Sequence, residues 1–329
     1  MPRLKRSDCA GAGIARRRHG RGFSYVDARG EKISDEQALE RIRALTIPPA
    51  WEEVWICAED NGHIQATGID EAGRKQYRYH ERWQERASQR KFESVRRFAR
   101  ALPKLRRAVK RDLELEGMPR ERALACAVRL LDRGFFRIGG EEYAEENESY
   151  GVATLRRDHV TVSGEEAIFD FPAKSGQRRV QSIRDPDALA AIEAMRRRRG
   201  GPEDLLAFKG GRLWHDVRST DVNDYIQQHV GEEFSAKDFR TWNGTVLAAV
   251  ALAGDPPQGR PTRERAIREA VAEVAELLGN TAAVCRASYI DPRLFDRFRN
   301  GQTIAAVRGG EIGDRRRDKI EREVLELID

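Results

Sequence analysis

The spacing of apolar residues changes once along the chain, near residue 84. Before that point apolar and polar residues alternate in short runs, which predicts strands at 23–26, 53–57, 63–67 and 75–80. Asp60-Asn-Gly62 joins the middle two as a hairpin turn. Between the first two strands, Ser34 caps a short helix that runs to Leu45, and Ile47-Pro-Pro49 ends it because proline has no N–H. Beyond the change, Trp83, Ala87, Phe92, Val95, Phe98 and Leu102 fall on one face of a helix. Further helices are predicted at 104–116, 120–134, 187–199, 219–230, 236–253, 261–278 and 315–328. Three short strands at 159–162, 167–171 and 179–183 interrupt them. The expected class is α+β. A small antiparallel sheet domain with short helices spans 22–84, and a mostly helical domain with a small three-stranded sheet spans 85–329. Residues 1–21 read as a flexible basic arm.

Charge adds to this picture through its distribution. The 329 residues hold 60 Lys plus Arg and 54 Asp plus Glu, a net charge of +6. Residues 1–30 carry eight basic and two acidic side chains, so the remaining chain nets to zero. A polyanion-binding surface in the body must therefore come from segregation of charge. The basic residues are 50 Arg and 10 Lys; a GC-rich codon composition accounts for that skew more readily than phosphate recognition does. No run of 18 apolar residues exists to span a membrane, and the start has no apolar signal segment. The four cysteines are scattered without a Cys-x-x-Cys pair, which predicts neither a zinc site nor a disulfide framework and fits a reducing cytoplasm.

No phosphate-binding Gly-Lys loop, dinucleotide fingerprint, His-Glu-x-x-His or Gly-x-Ser-x-Gly element is present. The glycine pairs Gly139-Gly140 and Gly210-Gly211 read as turns. His159 and His215 lack partners at metal-ligand spacing. Four segments carry the candidate chemistry. They are Phe136-Arg-Ile-Gly-Gly-Glu-Glu-Tyr-Ala-Glu-Glu-Asn-Glu-Ser-Tyr-Gly151; Phe171-Pro-Ala-Lys-Ser-Gly176; Ser235-Ala-Lys-Asp-Phe-Arg-Thr-Trp-Asn-Gly-Thr245; and Leu278-Gly-Asn-Thr-Ala-Ala-Val-Cys-Arg-Ala-Ser-Tyr-Ile-Asp-Pro292.

In order and spacing, these segments resemble the type IB DNA topoisomerases, in particular the bacterial branch related to the poxvirus enzymes. Upstream, Ile47-Pro-Pro-Ala-Trp51, Gly62-His-Ile-Gln-Ala66 and Gly73-Arg-Lys-Gln-Tyr-Arg-Tyr-His80 resemble the N-terminal domain of that family. The resemblance covers the chain from about residue 22 to its end. It implies a tyrosine-recombinase-like catalytic domain and a two-domain clamp on double-stranded DNA, acting as a monomer in the bacterial cytoplasm and nucleoid. It implies no cofactor and no metal. Carried over residue by residue, Tyr289 is the implied nucleophile, Arg137 and Arg240 bind the scissile phosphate, Lys174 protonates the leaving 5′ oxygen, and Asn280 contacts a non-bridging oxygen. The residue before the implied catalytic lysine is often glycine in the family; here it is Ala173, after Pro172.

These residue types suit the chemistry. Attack on a phosphodiester builds a crowded, more negative transition state, which guanidinium and amide donors stabilise. A 5′ alkoxide leaves poorly without a proton, and a lysine on a turn can deliver one. For DNA contact, the resemblance points to Gln76, Tyr77 and Tyr79; strand alternation puts the two tyrosines on one face. Tyr143 lies in an acidic helical stretch with Glu141, Glu142, Glu145, Glu146 and Glu148, and is expected on the DNA side with the carboxylates turned outward. Two alternatives stand beside this reading. A tyrosine recombinase shares the Arg/Lys/Arg/Tyr set, but commonly has His three residues before the second Arg, where this chain has Lys237. A non-catalytic DNA-binding protein would not need all five residues.

Overall fold

The computed structural model describes residues 3–307 and 314–329, apart from the side chains of Tyr143, Ser175, Asp314 and Arg315. The chain divides into two compact units, residues 1–91 and 92–329. The first holds β1 (Ile14–His19), β2 (Gly22–Val26), α1 (Glu36–Ala44), β3 (Glu52–Ile56), β4 (Ile64–Ile69), β5 (Lys75–Tyr79) and the start of α2 (Glu81–Leu113). The second holds the rest of α2, then α3 (Arg120–Arg133), α4 (Glu141–Asn147), β6 (Val160–Ser163), β7 (Glu166–Ala173), β8 (Gln177–Ile183), α5 (Pro186–Arg196), β9 (Ala207–Gly210), β10 (Leu213–Asp216) and α6 (Ser219–Val230). It continues with α7 (Ala236–Ala251), α8 (Arg260–Leu278), α9 (Ala282–Ser288), α10 (Pro292–Arg299) and α11 (Asp314–Ile328). The architecture is α+β, with a five-stranded antiparallel sheet first and a mostly helical remainder that carries a three-stranded sheet.

In the first unit the strand order is β2-β1-β3-β4-β5. Ile14, Val54, Ile56 and Ala66 face α1, where Ile42 closes the small core. Over its described residues, the expected flexible arm at 1–21 is instead part of the sheet unit. Residues 14–19 are an interior strand, paired with β2 through Ala15↔Val26 and with β3 through Ile14↔Ile56. Residues 5–13 lie along the sheet as well. The Ser7 amide donates to His63 Nδ1 at 2.9 Å, the Ser7 hydroxyl donates to the Ile64 carbonyl at 2.8 Å, and the Trp55 indole donates to the Gly11 carbonyl at 3.1 Å. The basic run hid the strand because its half-buried Arg16 is held by other parts of the chain, while Arg17 and Arg18 stay exposed. Arg16 lies 4.1 Å over the Phe23 ring and donates to the Pro48 carbonyl at 3.0 Å.

In the second unit α3 is buried on every side, as a helix with Ala123, Leu124, Ala125, Cys126, Ala127, Val128, Leu130 and Leu131 must be. Helices α5, α6 and α7 pack around it. The expected break near residue 103 does not occur: α2 runs for 33 residues through Pro103. Its apolar face, Phe92, Val95, Phe98, Leu102 and Leu105, keeps helical spacing past the proline, and Phe98 packs edge-on against Phe239 at 4.9 Å. Burial of that face outweighs one missing backbone hydrogen bond. The strands β6-β7-β8 form an antiparallel sheet with β7 in the middle. The hairpin β9–β10 and the helices α9 and α10 lie outside the predicted elements, while α4 falls on the expected acidic helical stretch; Gly210-Gly211 is the turn of that hairpin.

A buried ionic network fastens α11. Asp132, at the end of α3, accepts from Arg106 of α2 at 2.9 Å and from Arg317 of α11 at 2.8 Å. Glu321 accepts from the same two arginines, at 2.8 Å and 2.9 Å. The two cations hold the Asp132 carboxyl far below its ordinary value, against the opposing effect of burial. Removing one member of such a network strands the rest. Asp132→Ala is expected to cost about 3–5 kcal/mol in urea unfolding. The sign in pH follows from the depressed value. The contribution of Asp132 is complete above its ordinary 3.8 and fades as the pH falls below it, so unfolding of the variant should lose that share of the acid sensitivity.

Candidate active site

The site is built on the C-terminal end of α8. Gly279 adopts φ 61°, and the Asn280 amide folds back to the Ala275 carbonyl at 2.9 Å, a glycine-terminated helix end. A helix end leaves its last carbonyls without partners and carries partial negative charge. Arginines from three separate elements fill that position. Arg179 of β8 donates to the Glu276 carbonyl at 3.0 Å and to the Leu277 carbonyl. Arg240 of α7 donates to the Leu278 carbonyl at 2.6 Å and the Phe135 carbonyl at 2.7 Å. Arg137, beyond α3, donates to the Gly279 carbonyl at 2.9 Å and to Asn280 Oδ1 at 2.7 Å. The three guanidiniums line one narrow pocket with Ala173, Tyr150 and Leu278.

Tyr289 enters from the next turn of chain. Thr281 caps α9 by accepting from the Val284 amide, and α9 ends at Tyr289, whose amide donates to the Cys285 carbonyl at 2.9 Å. The Arg240 guanidinium lies 5.2 Å from the centre of the Tyr289 ring. The backbone of Tyr289 rests on α7 one turn after Arg240. A Cβ at Gly244 would lie 2.6 Å from the Tyr289 carbonyl oxygen. Thr245 Oγ1 accepts from the Asp291 amide at 3.0 Å, and Asp291 caps α10. The run Arg240-Thr-Trp-Asn-Gly-Thr245 thus places a cation and a backbone-sized gap four residues apart on one helix face.

Clustering of like charge acts on the cations of the site. Burial, then the neighbouring Arg137, push the Arg240 guanidinium down to about 10, while Tyr289 pulls it the other way. It stays charged at neutral pH. Burial and Arg137 also lower Arg179. Arg240 is only 6% exposed, and its Nε has no hydrogen-bond partner among the described residues. Phe136 fixes the approach of Arg137: it is buried between Phe169, edge-on at 4.9 Å, and Phe171, stacked at 5.9 Å.

Two family models match the chain. The catalytic core of eukaryotic DNA topoisomerase I matches residues 80–299, and the N-terminal domain of bacterial DNA topoisomerase IB matches residues 22–70. The DNA topoisomerase 1B of Acanthamoeba polyphaga mimivirus is 33% identical over 297 residues, covering 88% of each chain. The chain belongs to the type IB DNA topoisomerases. It is also similar to the DNA topoisomerase 1B of vaccinia virus, 20% identical over 83% of this chain and 86% of that one. Its match to the DNA topoisomerase 1 of Schizosaccharomyces pombe, 29% identical, takes in half of this chain and a fifth of the longer yeast protein.

Of the five residues singled out in this type IB topoisomerase, Arg137, Arg240, Asn280 and Tyr289 come together. Lys174 is exposed in the turn between β7 and β8, beside the buried Ala173 of the pocket wall. Among the described residues it has no hydrogen-bond or ion-pair partner. Arg179 escaped the sequence reading. Its signal is a basic residue on the half-buried side of β8, in phase with Gln181. In the first unit, Tyr77 and Tyr79 stack at 5.9 Å on β5 and are 43% and 39% exposed. Gln76 alternates to the other side of the strand and donates to Asp70 at 2.9 Å. Tyr143 lies on α4, and its side chain is outside those described. In the acidic stretch Glu141 accepts from the Ser219 amide and hydroxyl, while Glu142, Glu145, Glu146 and Glu148 are exposed.

The contact at Gly244 gives a direct test. A methyl group there must push the Tyr289 backbone away, because a carbonyl oxygen at 2.6 Å cannot swing aside like a side-chain tip. Gly244→Ala is expected to lower plasmid relaxation by roughly 10-fold or more, since small misplacements of a reacting group carry costs of that order. Gly22→Ala, where a Cβ meets nothing within 4 Å, should leave relaxation unchanged.

Proposed function

We propose that this enzyme relaxes supercoiled duplex DNA by nicking one strand through a 3′-phosphotyrosyl intermediate, letting the free 5′ end swivel, and resealing. The observation that carries the reading is the Arg240 guanidinium 5.2 Å from the Tyr289 ring, with Arg137 and Asn280 beside it. A free tyrosine titrates near 10. Adjacent cations stabilise the negative charge that builds on the phosphoryl oxygens as the tyrosine attacks phosphorus. The bond from Tyr289 to phosphorus forms as the bond to the 5′ oxygen breaks. Lys174, reaching from its turn, gives that oxygen a proton. On religation the 5′ hydroxyl attacks, and the tyrosine leaves.

The helix-end carbonyls act as placeholders for the substrate. Each carries a fraction of a charge, whereas a phosphoryl group in flight carries more than one. Exchange of carbonyl for phosphate at Arg137 and Arg240 is therefore favourable, most of all in the transition state, and the guanidiniums are already in position. Asn280 fits the same scheme. An arginine can only donate, so Arg137 fixes which end of the amide is Oδ1; Nδ2 donates one hydrogen to the Leu278 carbonyl at 3.3 Å and keeps the other for a phosphate oxygen.

Transesterification conserves the phosphodiester bond, so the reaction needs neither ATP nor a metal-activated water. The exposed pair Tyr77 and Tyr79 suits contact with the DNA groove, and Tyr143 is read as a DNA contact too. Gln76 would have to leave Asp70 to join them. The enzyme is read as a monomer acting on chromosomal DNA in the bacterial cytoplasm, and no helix among the described residues is long and apolar enough to cross a membrane.

Relaxation of negatively and positively supercoiled plasmid is expected in EDTA without nucleotide. Tyr289→Phe should abolish it, along with the covalent protein–DNA adduct trapped by denaturant, while leaving DNA binding intact. A strict need for added magnesium or ATP, or a Tyr289→Phe enzyme that still relaxes plasmid, would overturn the mechanism. Recombinant products would favour the recombinase chemistry instead.

A further inference from the structure

We propose that Arg179 is a positioning residue for the reaction, clamping the hairpin that carries Lys174 to the helix end that carries Asn280. The proposal rests on the reading of Lys174 as the proton donor. β8 is the edge strand of its sheet, with β7 as its neighbour on one side. A two-stranded tip of this kind twists and sways unless something holds it. The rung that does so pairs Phe171 with Arg179. On the β7 side, Phe171 is buried and stacks on Phe136, the residue before Arg137. On the β8 side, Arg179 donates to the Glu276 and Leu277 carbonyls, directly before the Leu278–Gly279 turn. One rung thus ties the base of the Lys174 turn to the supports of both Arg137 and Asn280.

The donor geometry favours a clamp over direct phosphate contact. Both terminal nitrogens of Arg179 are engaged by helix-end carbonyls, one each. A Cβ at Gly279 would lie 2.9 Å from Arg179 Nη1, so the guanidinium is packed against the turn and Gly279 leaves the space for it. A planar fork onto two successive carbonyls is a geometry that lysine cannot reproduce. Beside it, Gln181 donates to the Gly134 carbonyl at 2.6 Å and holds the same strand to the chain that leads into Arg137.

The chemistry of the leaving group separates a clamp from a general defect. In the natural step the phosphorus–oxygen bond to the 5′ carbon breaks and the oxygen takes a proton from Lys174. With sulfur in that bridging position the phosphorus–sulfur bond breaks instead, and the thiolate leaves without needing the proton. Single-turnover cleavage of a duplex bearing either bridging atom is therefore the measurement.

Arg179→Met is expected to cleave the oxygen substrate about 10- to 100-fold more slowly than wild type, the scale of a displaced catalytic group, and the sulfur substrate within about 3-fold of it. Arg179→Lys, which keeps the charge and loses the fork, should behave similarly. Equal slowing on both substrates, or no slowing on the oxygen substrate, would overturn the proposal. Lys174→Ala is the control. If sulfur rescues Lys174→Ala but not Arg179→Met, the clamp alone falls. If sulfur fails to rescue Lys174→Ala, the proton-donor reading falls and takes the clamp with it. A variant that had lost its fold would cleave neither substrate, so rescue by sulfur also reports that the protein is intact.

Discussion

The unpaired carbonyls at the end of α8 are the constraint on which the site depends. Every α-helix must satisfy its last carbonyls, and water or a capping side chain usually does so. Here three guanidiniums from β8, α7 and the loop after α3 meet at one helix end. Without that partial negative charge, three cations would repel each other in a pocket with little water. The helix end holds them together by offering each a carbonyl acceptor.

The support beneath the pocket is ionic as well. Asp132 lies five residues before Arg137, and its backbone carbonyl accepts from Asn243, three residues after Arg240. Arg317 reaches both Asp132 and Asn243. The segments that present the two arginines are therefore joined from below by one buried carboxylate and one arginine of α11. Buried ion pairs are poor sources of net stability but firm determinants of geometry when every member is satisfied. That suits a site whose task is to aim charge.

Much of this was legible in the sequence where local pattern and long-range structure agree. Helix α6 lies where its period placed it, and β6, β7 and β8 fall within a few residues of their expected positions. Arg137, Arg240, Asn280 and Tyr289 were legible because their motifs occur in family order. What escaped depends on tertiary partners. The strand through Arg16, Arg17 and Arg18 has no apolar alternation: Arg16 packs on an aromatic ring and on carbonyls, and the next two arginines face solvent. Arg179 belongs to no motif, and its importance arises only when β8 meets α8. Pro103 reads as a helix breaker in isolation, and the apolar stripe on either side of it overrides that reading.

The place of β1 inside its sheet bears on how the protein can be cut. The matched N-terminal domain begins at residue 22, after β1 has ended. A fragment started there would keep β2 but lose the strand between β2 and β3. β2 would have no ladder to join, Ile14 would leave the core, and β3 would become a bare edge. Such an edge invites pairing with other chains. For this enzyme residues 3–20 belong to the folded body, and a shortened form is better begun no later than Arg3, whose carbonyl already accepts from Asn61.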